Sequence, residues 1–221
     1  MLDHRKRYLQ IAFNCGPSIV QRILPTIPAD DRIIIEAGTP FIKRTGSAGI
    51  SMIASMWDGP IVADLKTADG AEEEVALAHQ AGATAATVLG SAPIETIELF
   101  ISACNALGMD SMIDMIGVDD PLKMLRHLRH PPTVVVLHKG RDEEGTRGKV
   151  IQYRHVTRIR SKFDVLISAA GGVDLKEAQS AIFNGASIVV VNIVERINPW
   201  TGIRAEDDVA AVAEEFLRTI K

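Results

Sequence analysis

Ile61-Val62-Ala63 is an apolar run that gives way to Asp64-Leu65-Lys66-Thr67-Ala68-Asp69, two carboxylates on either side of a lysine. Side chains alternate faces along a β-strand, so Asp64 and Lys66, two apart, project to the same side, and Asp69 follows in the turn beyond. A charged cluster at the end of a strand either performs acid–base and electrostatic chemistry or is an ordinary terminal ion pair, and Asp-x-Lys by itself favours neither. A lysine pressed between carboxylates stays protonated. That suits a proton donor, or a stabiliser of a developing enediolate, better than a Schiff-base nucleophile.

Other apolar runs also end in groups able to do chemistry. Asn14 follows the first, Glu36 closes the second ahead of Ala37-Gly38-Thr39-Pro40, and Asp114 lies in the fifth. His138-Lys139-Gly140-Arg141-Asp142 ends the sixth, Ala170-Gly171-Gly172 the seventh and Asn192 the eighth. Glu36 and Asp64, on neighbouring strands, are oxygen ligands of the kind Mg²⁺ accepts while keeping several waters and a substrate oxygen. The competing reading pairs Glu36 with Lys66 as a buried ion pair. Gly171-Gly172, followed by Val173-Asp174-Leu175-Lys176-Glu177-Ala178 opening a helix, offers bare backbone N–H groups and a helix N-terminus to a phosphate; the alternative is a tight turn. Arg141 can make a bidentate phosphate contact, with Lys139 and Arg147 nearby, unless these loop cations are merely solvated. His138 is either an acid or base or a strand-end histidine satisfied by a carbonyl. Asp114 points inward only if it shares a face with Met112. His4, His79, His127, His130, His155, Cys15 and Cys104 receive no chemical role.

For these side chains to meet, their strands must run parallel and end on one side. Runs at Tyr8–Phe13, 32–36, 61–65, Ala85–Leu89, 111–115, 133–138, 164–169 and 187–192 recur about every 25 residues with helical stretches between them. Eight such βα units close into a (β/α)8 TIM barrel, an α/β fold of about 250 residues in typical cases, whose active site lies at the C-terminal strand ends. The whole chain, 1–221, reads as one such domain. In the stretch Ala71–Ala81 the Glu positions face solvent and the Val, Leu and Ala positions the sheet, with Gly82 as the stop. An open doubly wound sheet is the alternative, but no Gly-x-Gly-x-x-Gly follows the first strand.

With 47% hydrophobic residues in 221, the chain can bury one sizeable core. A net charge of −4 and few aromatic residues argue against a nucleic-acid partner and favour a small anionic substrate. No window approaches the roughly 20 apolar residues of a membrane span, and the apolar run after Met1–Arg7 is too short for a signal-peptide core. A cytoplasmic protein without a membrane partner is the expectation.

Together these motifs resemble the orotidine 5′-monophosphate decarboxylase superfamily, in its branch of 3-hexulose-6-phosphate synthases and 3-keto-L-gulonate-6-phosphate decarboxylases. The likeness spans nearly the whole chain. Its carriers are Ile35-Glu36-Ala37-Gly38-Thr39-Pro40, Ala63-Asp64-Leu65-Lys66-Thr67-Ala68-Asp69, His138 with Arg141-Asp142, and Ala170-Gly171-Gly172-Val173. Asp114-Met115-Ile116-Gly117-Val118 is similar to the synthases in particular. The resemblance implies a homodimeric barrel in which Asp69 completes the partner's site, Mg²⁺ held by Glu36 and Asp64, and catalysis by Lys66, Asp64, Asp69, His138 and Glu36. It also implies a phosphorylated sugar held by Asn14, Arg141, Gly171, Gly172, Asn192 and Ile193. The reaction implied is aldol condensation of D-ribulose 5-phosphate with formaldehyde to hexulose 6-phosphate, or its reversal, through an enediolate. A decarboxylase of a sugar phosphate or of orotidine 5′-monophosphate is the alternative, and a non-catalytic phosphate-ligand-binding barrel a third reading.

Three positions depart from the pattern. Asn14 stands where the relatives' first strand usually ends in Asp. His138-Lys139-Gly140-Arg141 is closer to the keto-gulonate phosphate decarboxylases than to the synthases. Val190-Val191-Asn192-Ile193-Val194-Glu195-Arg196 lacks the Gly or Gly-Arg that relatives offer to phosphate, with Arg196 as the substitute at hand.

Overall fold

Val, Ile and Ala occupy both faces of most strands, the composition of a parallel sheet covered on both sides. In the computed structural model, which describes residues 1–143, 146 and 150–221, eight strands follow one another in spatial order and the eighth returns to the first. They are β1 (Tyr8–Phe13), β2 (Ile33–Ala37), β3 (Ile61–Thr67), β4 (Ala85–Leu89), β5 (Asp110–Asp114), β6 (Val134–His138), β7 (Leu166–Ala170) and β8 (Ile188–Val194). All neighbouring pairs are parallel, and β1 pairs β8 from Tyr8↔Ile188 to Phe13↔Ile193. The fold is a closed (β/α)8 barrel. Arg147 lies outside the described residues.

The strand bounds differ from the sequence expectation by a few residues at most. β3 runs on to Thr67, β8 runs on to Val194, and β7 starts at Leu166, leaving Asp164 in the segment before it. One strand was not expected: β9 (Ile203–Arg204) pairs parallel with the end of β8.

Helices α1 (Pro17–Ile23), α2 (Thr39–Thr45), α3 (Ser47–Ala54), α4 (Ala71–Gln80), α5 (Ile94–Ala106), α6 (Pro121–Leu125), α7 (Val156–Arg160), α8 (Leu175–Phe183) and α9 (Val209–Thr219) accompany the strands. In α4, Val75 and Ala78 are buried as the pattern requires and Gly82 beyond it takes φ +96°. Leu77 is a correction: it stands 45% exposed instead of facing the sheet. Among the described residues no helix is long and apolar enough to cross a membrane.

Strict alternation divides the strand residues into two cores. Leu9, Ile11, Ile33, Ile35, Ile113 and Val135 pack outward against the helices. Tyr8, Ala12, Ile34, Val62, Met112, Val134 and Ile188 fill the barrel interior, with Leu2 joining them. This alternation decides which residues beyond the interior core reach the cavity at the C-terminal strand ends: Gln10, Glu36, Asp64, Thr87, Asp114, His138 and Asn192 each lie an even number of positions from an interior residue of their own strand.

Candidate active site

The inward faces of the strand ends enclose a cavity of about 300 Å³. Asn14, Glu36, Asp64, Lys66, His138, Arg141, Gly171 and Asn192 all line it, so the structure gathers most of the residues singled out from sequence. Gly172, Ile193 and Asp69 do not line it. Ile193 alternates with the inward-facing Asn192, and its side chain packs in the outer core, which corrects the expectation that it meets the substrate. Asp69 is exposed beyond the end of β3.

A charged network runs across the cavity floor. Lys66 Nζ lies 3.0 Å from both carboxylate oxygens of Asp64 and 2.7 Å from Asp114 Oδ2, and His138 Nδ1 lies 2.9 Å from that same oxygen. Burial alone would lower the Lys66 ammonium's pKa, but the two carboxylates outweigh it and raise it above its ordinary value. Burial would raise Asp114, yet the His138 hydrogen bond and the charges of His138 and Lys66 hold it well below the usual carboxylate range. For His138, burial lowers and Asp114 raises, with a net upward result. Asp114 is therefore an anion shared by two proton-carrying side chains.

The backbone at Lys66 is unusual. Among the described residues Lys66 is the one non-glycine with positive φ, +50°, and the β3–β4 register shifts between Ala63 and Thr67. An L-residue in this region carries strain that its surroundings must hold. Thr87 of β4 does so: its Oγ1 accepts from the Lys66 amide at 2.9 Å and donates to Asp64 Oδ1 at 2.9 Å. Thr39, at the start of α2, donates its amide to Asp64 Oδ2 at 3.3 Å and places its hydroxyl 2.7 Å from that oxygen. Asp64 is thus held from both sides, by β4 and by the start of α2.

Glu36 stands apart from Lys66, so the ion pair considered from sequence does not form. Its partner is Gln10, whose Nε2 donates to Oε2 at 2.5 Å. Burial and the Asp64 charge push Glu36 up to about 7. The Gln10 Oε1 is buried without a hydrogen-bond partner.

Where β1 and β8 close the barrel, Asn14 Nδ2 donates to Asn192 Oδ1 at 2.9 Å, linking the ends of the two strands. Gly171 has φ +104°, and a Cβ there would stand 1.9 Å from the Lys139 carbonyl oxygen, so only glycine passes. Behind it, Asp174 caps α8 itself, accepting from the Glu177 amide at 2.7 Å and so placing a carboxylate at the helix N-terminus.

Gln10, Thr39 and Thr87 were missing from the sequence-derived site, and Asp114, noted there with its orientation open, proves to be central to it. Asp114 ends an apolar strand on the same face as Met112, a signal available in the sequence. Thr39 stands in the Gly-Thr-Pro segment. Gln10 and Thr87 lie inside apolar strands, where a lone polar residue facing a barrel interior was the signal.

Comparison with known proteins agrees with this fold. Residues 8–193 match the family model described as the orotidine 5′-phosphate decarboxylase / HUMPS family. The chain is 37% identical over 216 residues to the bifunctional enzyme Fae/Hps of Methanosarcina barkeri, covering 96% of this chain and 52% of the relative. It is 40% identical over 177 residues to that of Methanocaldococcus jannaschii, covering 79% and 44%. The chain spans about half the length of the curated relatives it matches. The crystal structure of 3-hexulose-6-phosphate synthase from Salmonella typhimurium superposes with a TM-score of 0.84 at 27% identity, covering 96% of this chain and 98% of that one.

Proposed function

Because the chain belongs to the orotidine 5′-phosphate decarboxylase / HUMPS family, we propose that it is a carbon–carbon lyase of the 3-hexulose-6-phosphate synthase type. It joins D-ribulose 5-phosphate to formaldehyde, or cleaves the hexulose 6-phosphate, through an enediolate. The observation that carries this reading is the Lys66–Asp114–His138 network at the floor of a cavity. It combines a fixed cation with an imidazole held above its ordinary pKa, which is what proton transfer beside a developing oxyanion needs.

The donor set suits Mg²⁺. Among the described residues no three His, Cys, Asp or Glu side chains converge as a metal site, but Mg²⁺ is commonly held by one or two carboxylates with waters and substrate oxygens. Glu36, pushed up to about 7 in the field of Asp64, and the unpartnered Gln10 Oε1 mark a place where a cation would relieve the electrostatic cost. Glu36 and Asp64 would hold it. When bound, Mg²⁺ would supply Lewis acidity and orientation to the sugar's oxygens.

The chain's own side chains divide the remaining work. Asp114 holds His138 through Nδ1, leaving Nε2 as the atom that takes a proton from C1 of ribulose 5-phosphate and returns it. Lys66 Nζ, fixed by Asp64 and Asp114, stabilises negative charge as it develops on the sugar oxygens. The C1 carbon then adds to formaldehyde, forming the new carbon–carbon bond, and the alkoxide produced takes up a proton. Gly171, Asn14, Asn192 and Arg141 bind the rest of the sugar phosphate. Assembly as a homodimer, with Asp69 reaching the partner's cavity, belongs to the same proposal and gives this exposed carboxylate a task.

The test is carbon NMR of the purified protein with ribulose 5-phosphate, ¹³C-formaldehyde and Mg²⁺. A labelled hexulose phosphate that disappears with Lys66→Ala and with EDTA supports the reading. The His138-Lys139-Gly140-Arg141 segment favours a sugar-phosphate decarboxylase as second reading, and no condensation beside release of CO₂ from a 3-keto sugar-acid phosphate would select it.

A further inference from the structure

The chain does not leave the barrel mouth at the end of β8. It loops out through Glu195–Gly202 and returns as β9, pairing Ile193 with Ile203 and Val194 with Arg204. This strap is fastened from within. Arg204 Nη1 donates to the carbonyls of Glu195 at 3.2 Å and Asn198 at 2.9 Å, and the Asn198 amide donates to the Glu195 carbonyl at 2.9 Å. A Cβ at Gly202 would stand 2.3 Å from the Asn192 carbonyl oxygen, so the strap lies against the strand end that carries a cavity residue.

What the strap delivers is Trp200. Its ring lies 4.2 Å from Cζ of Arg141, which belongs to the 3-10 turn Arg141–Glu143 after β6, two strands away. Arg141 lines the cavity, and among the described residues no carboxylate or carbonyl receives its guanidinium. A guanidinium stacked on an indole has its face covered and its plane fixed, while its in-plane N–H donors remain open to a planar or tetrahedral oxyanion. The end of β8, meanwhile, is engaged by β9.

We propose that Trp200 is a positioning residue that holds the Arg141 guanidinium as the seat for a phosphate monoester, so that the β9 strap sets the preference for phosphorylated over unphosphorylated pentuloses. This deepens the sugar-phosphate reading above and rests on it for the identity of the sugar, but the anion seat has a readout of its own. Trp200 acts on the ligand through Arg141. Phenylalanine at this position keeps a flat face for the stack, and alanine removes it.

The experiment measures binding of inorganic phosphate and of ribulose 5-phosphate by calorimetry, with D-ribulose as the uncharged control, for the parent chain, Trp200→Ala, Trp200→Phe and Arg141→Ala. The expected result is about tenfold weaker binding of both phosphate compounds in Trp200→Ala, a similar or larger loss in Arg141→Ala, near-parental binding in Trp200→Phe and no change with D-ribulose. Where turnover is measurable, the Trp200→Ala effect falls on KM and not on kcat. Parental phosphate affinity in Trp200→Ala, or a loss that Trp200→Phe does not rescue, overturns the proposal. If the parent binds inorganic phosphate in this pattern yet condenses no sugar with formaldehyde, the reaction assignment fails and the anion seat stands.

Discussion

Asp114 Oδ2 sits 2.7 Å from Lys66 Nζ although the strands that carry them, β5 and β3, are separated by β4. The contact spans the intervening strand because both side chains turn into the barrel, and β4 places only Thr87 between them, a residue small enough to support Lys66 without filling the gap. In the proposed reaction, catalysis and stability are therefore coupled at Asp114.

Asp114→Asn should lower kcat by about a hundredfold or more, because the lysine loses a counter-charge and the imidazole its anchor. It should also destabilise the fold by about 3 to 5 kcal/mol, the usual cost of removing one member of a buried charged pair. Denaturant unfolding alongside the kinetics checks both. Lys66→Ala should abolish turnover.

His138 should titrate above the ordinary 6.5, since Asp114 outweighs the effect of burial. A histidine with a raised folded-state pKa lends stability that is present below its unfolded pKa and is lost as pH rises through the folded value. Asp114→Asn removes the partner but not the burial, so His138 should then titrate below 6.5, as proton–carbon NMR of the imidazole will read.

Glu36 has the opposite chemistry but the same sign. Held up at about 7 against an ordinary 4.5, it favours the folded state at low pH, and that contribution fades as pH rises from about 4.5 through about 7 in metal-free protein. Glu36→Gln keeps an acceptor for Gln10 and removes the titration. Its melting temperature should gain on the parent's over this interval. Added Mg²⁺ should raise the parent's melting temperature at pH 8 and leave Glu36→Gln nearly unmoved.

If Asp69 completes the partner's site, Asp69→Ala and Lys66→Ala should each be inactive alone and recover about a quarter of the parental activity after subunit mixing. Half the dimers are then mixed, and each has one intact site. No recovery despite demonstrated exchange would place Asp69 in its own chain's chemistry.

Much of this was legible in the sequence for a physical reason. Strands such as Val134–His138 and Ile61–Thr67 are dense in β-branched residues, and a barrel turns strand ends into a site whatever the reaction, so Glu36, Asp64, Lys66 and His138 were found from position alone. Ile193 was misplaced although strict alternation with Asn192 turns it outward. The capping of α8 by Asp174 was also readable, since Glu177 stands three residues on, the spacing of a capping box. Asp114 could be noted from its strand position, but its sharing between Lys66 of β3 and His138 of β6 is announced by no local pattern. β9 has two residues and no periodicity, so the strap and the Trp200–Arg141 stack could be seen only in three dimensions.

If His138 moves a proton at C1 of ribulose 5-phosphate while Lys66 stabilises the charge that develops, proton NMR in D2O reads this without any aldehyde. With Mg²⁺ present, one of the two C1 proton signals should be lost through exchange with solvent, and Lys66→Ala and His138→Asn should abolish the loss. Unchanged C1 signals under conditions where calorimetry shows ribulose 5-phosphate bound would contradict it.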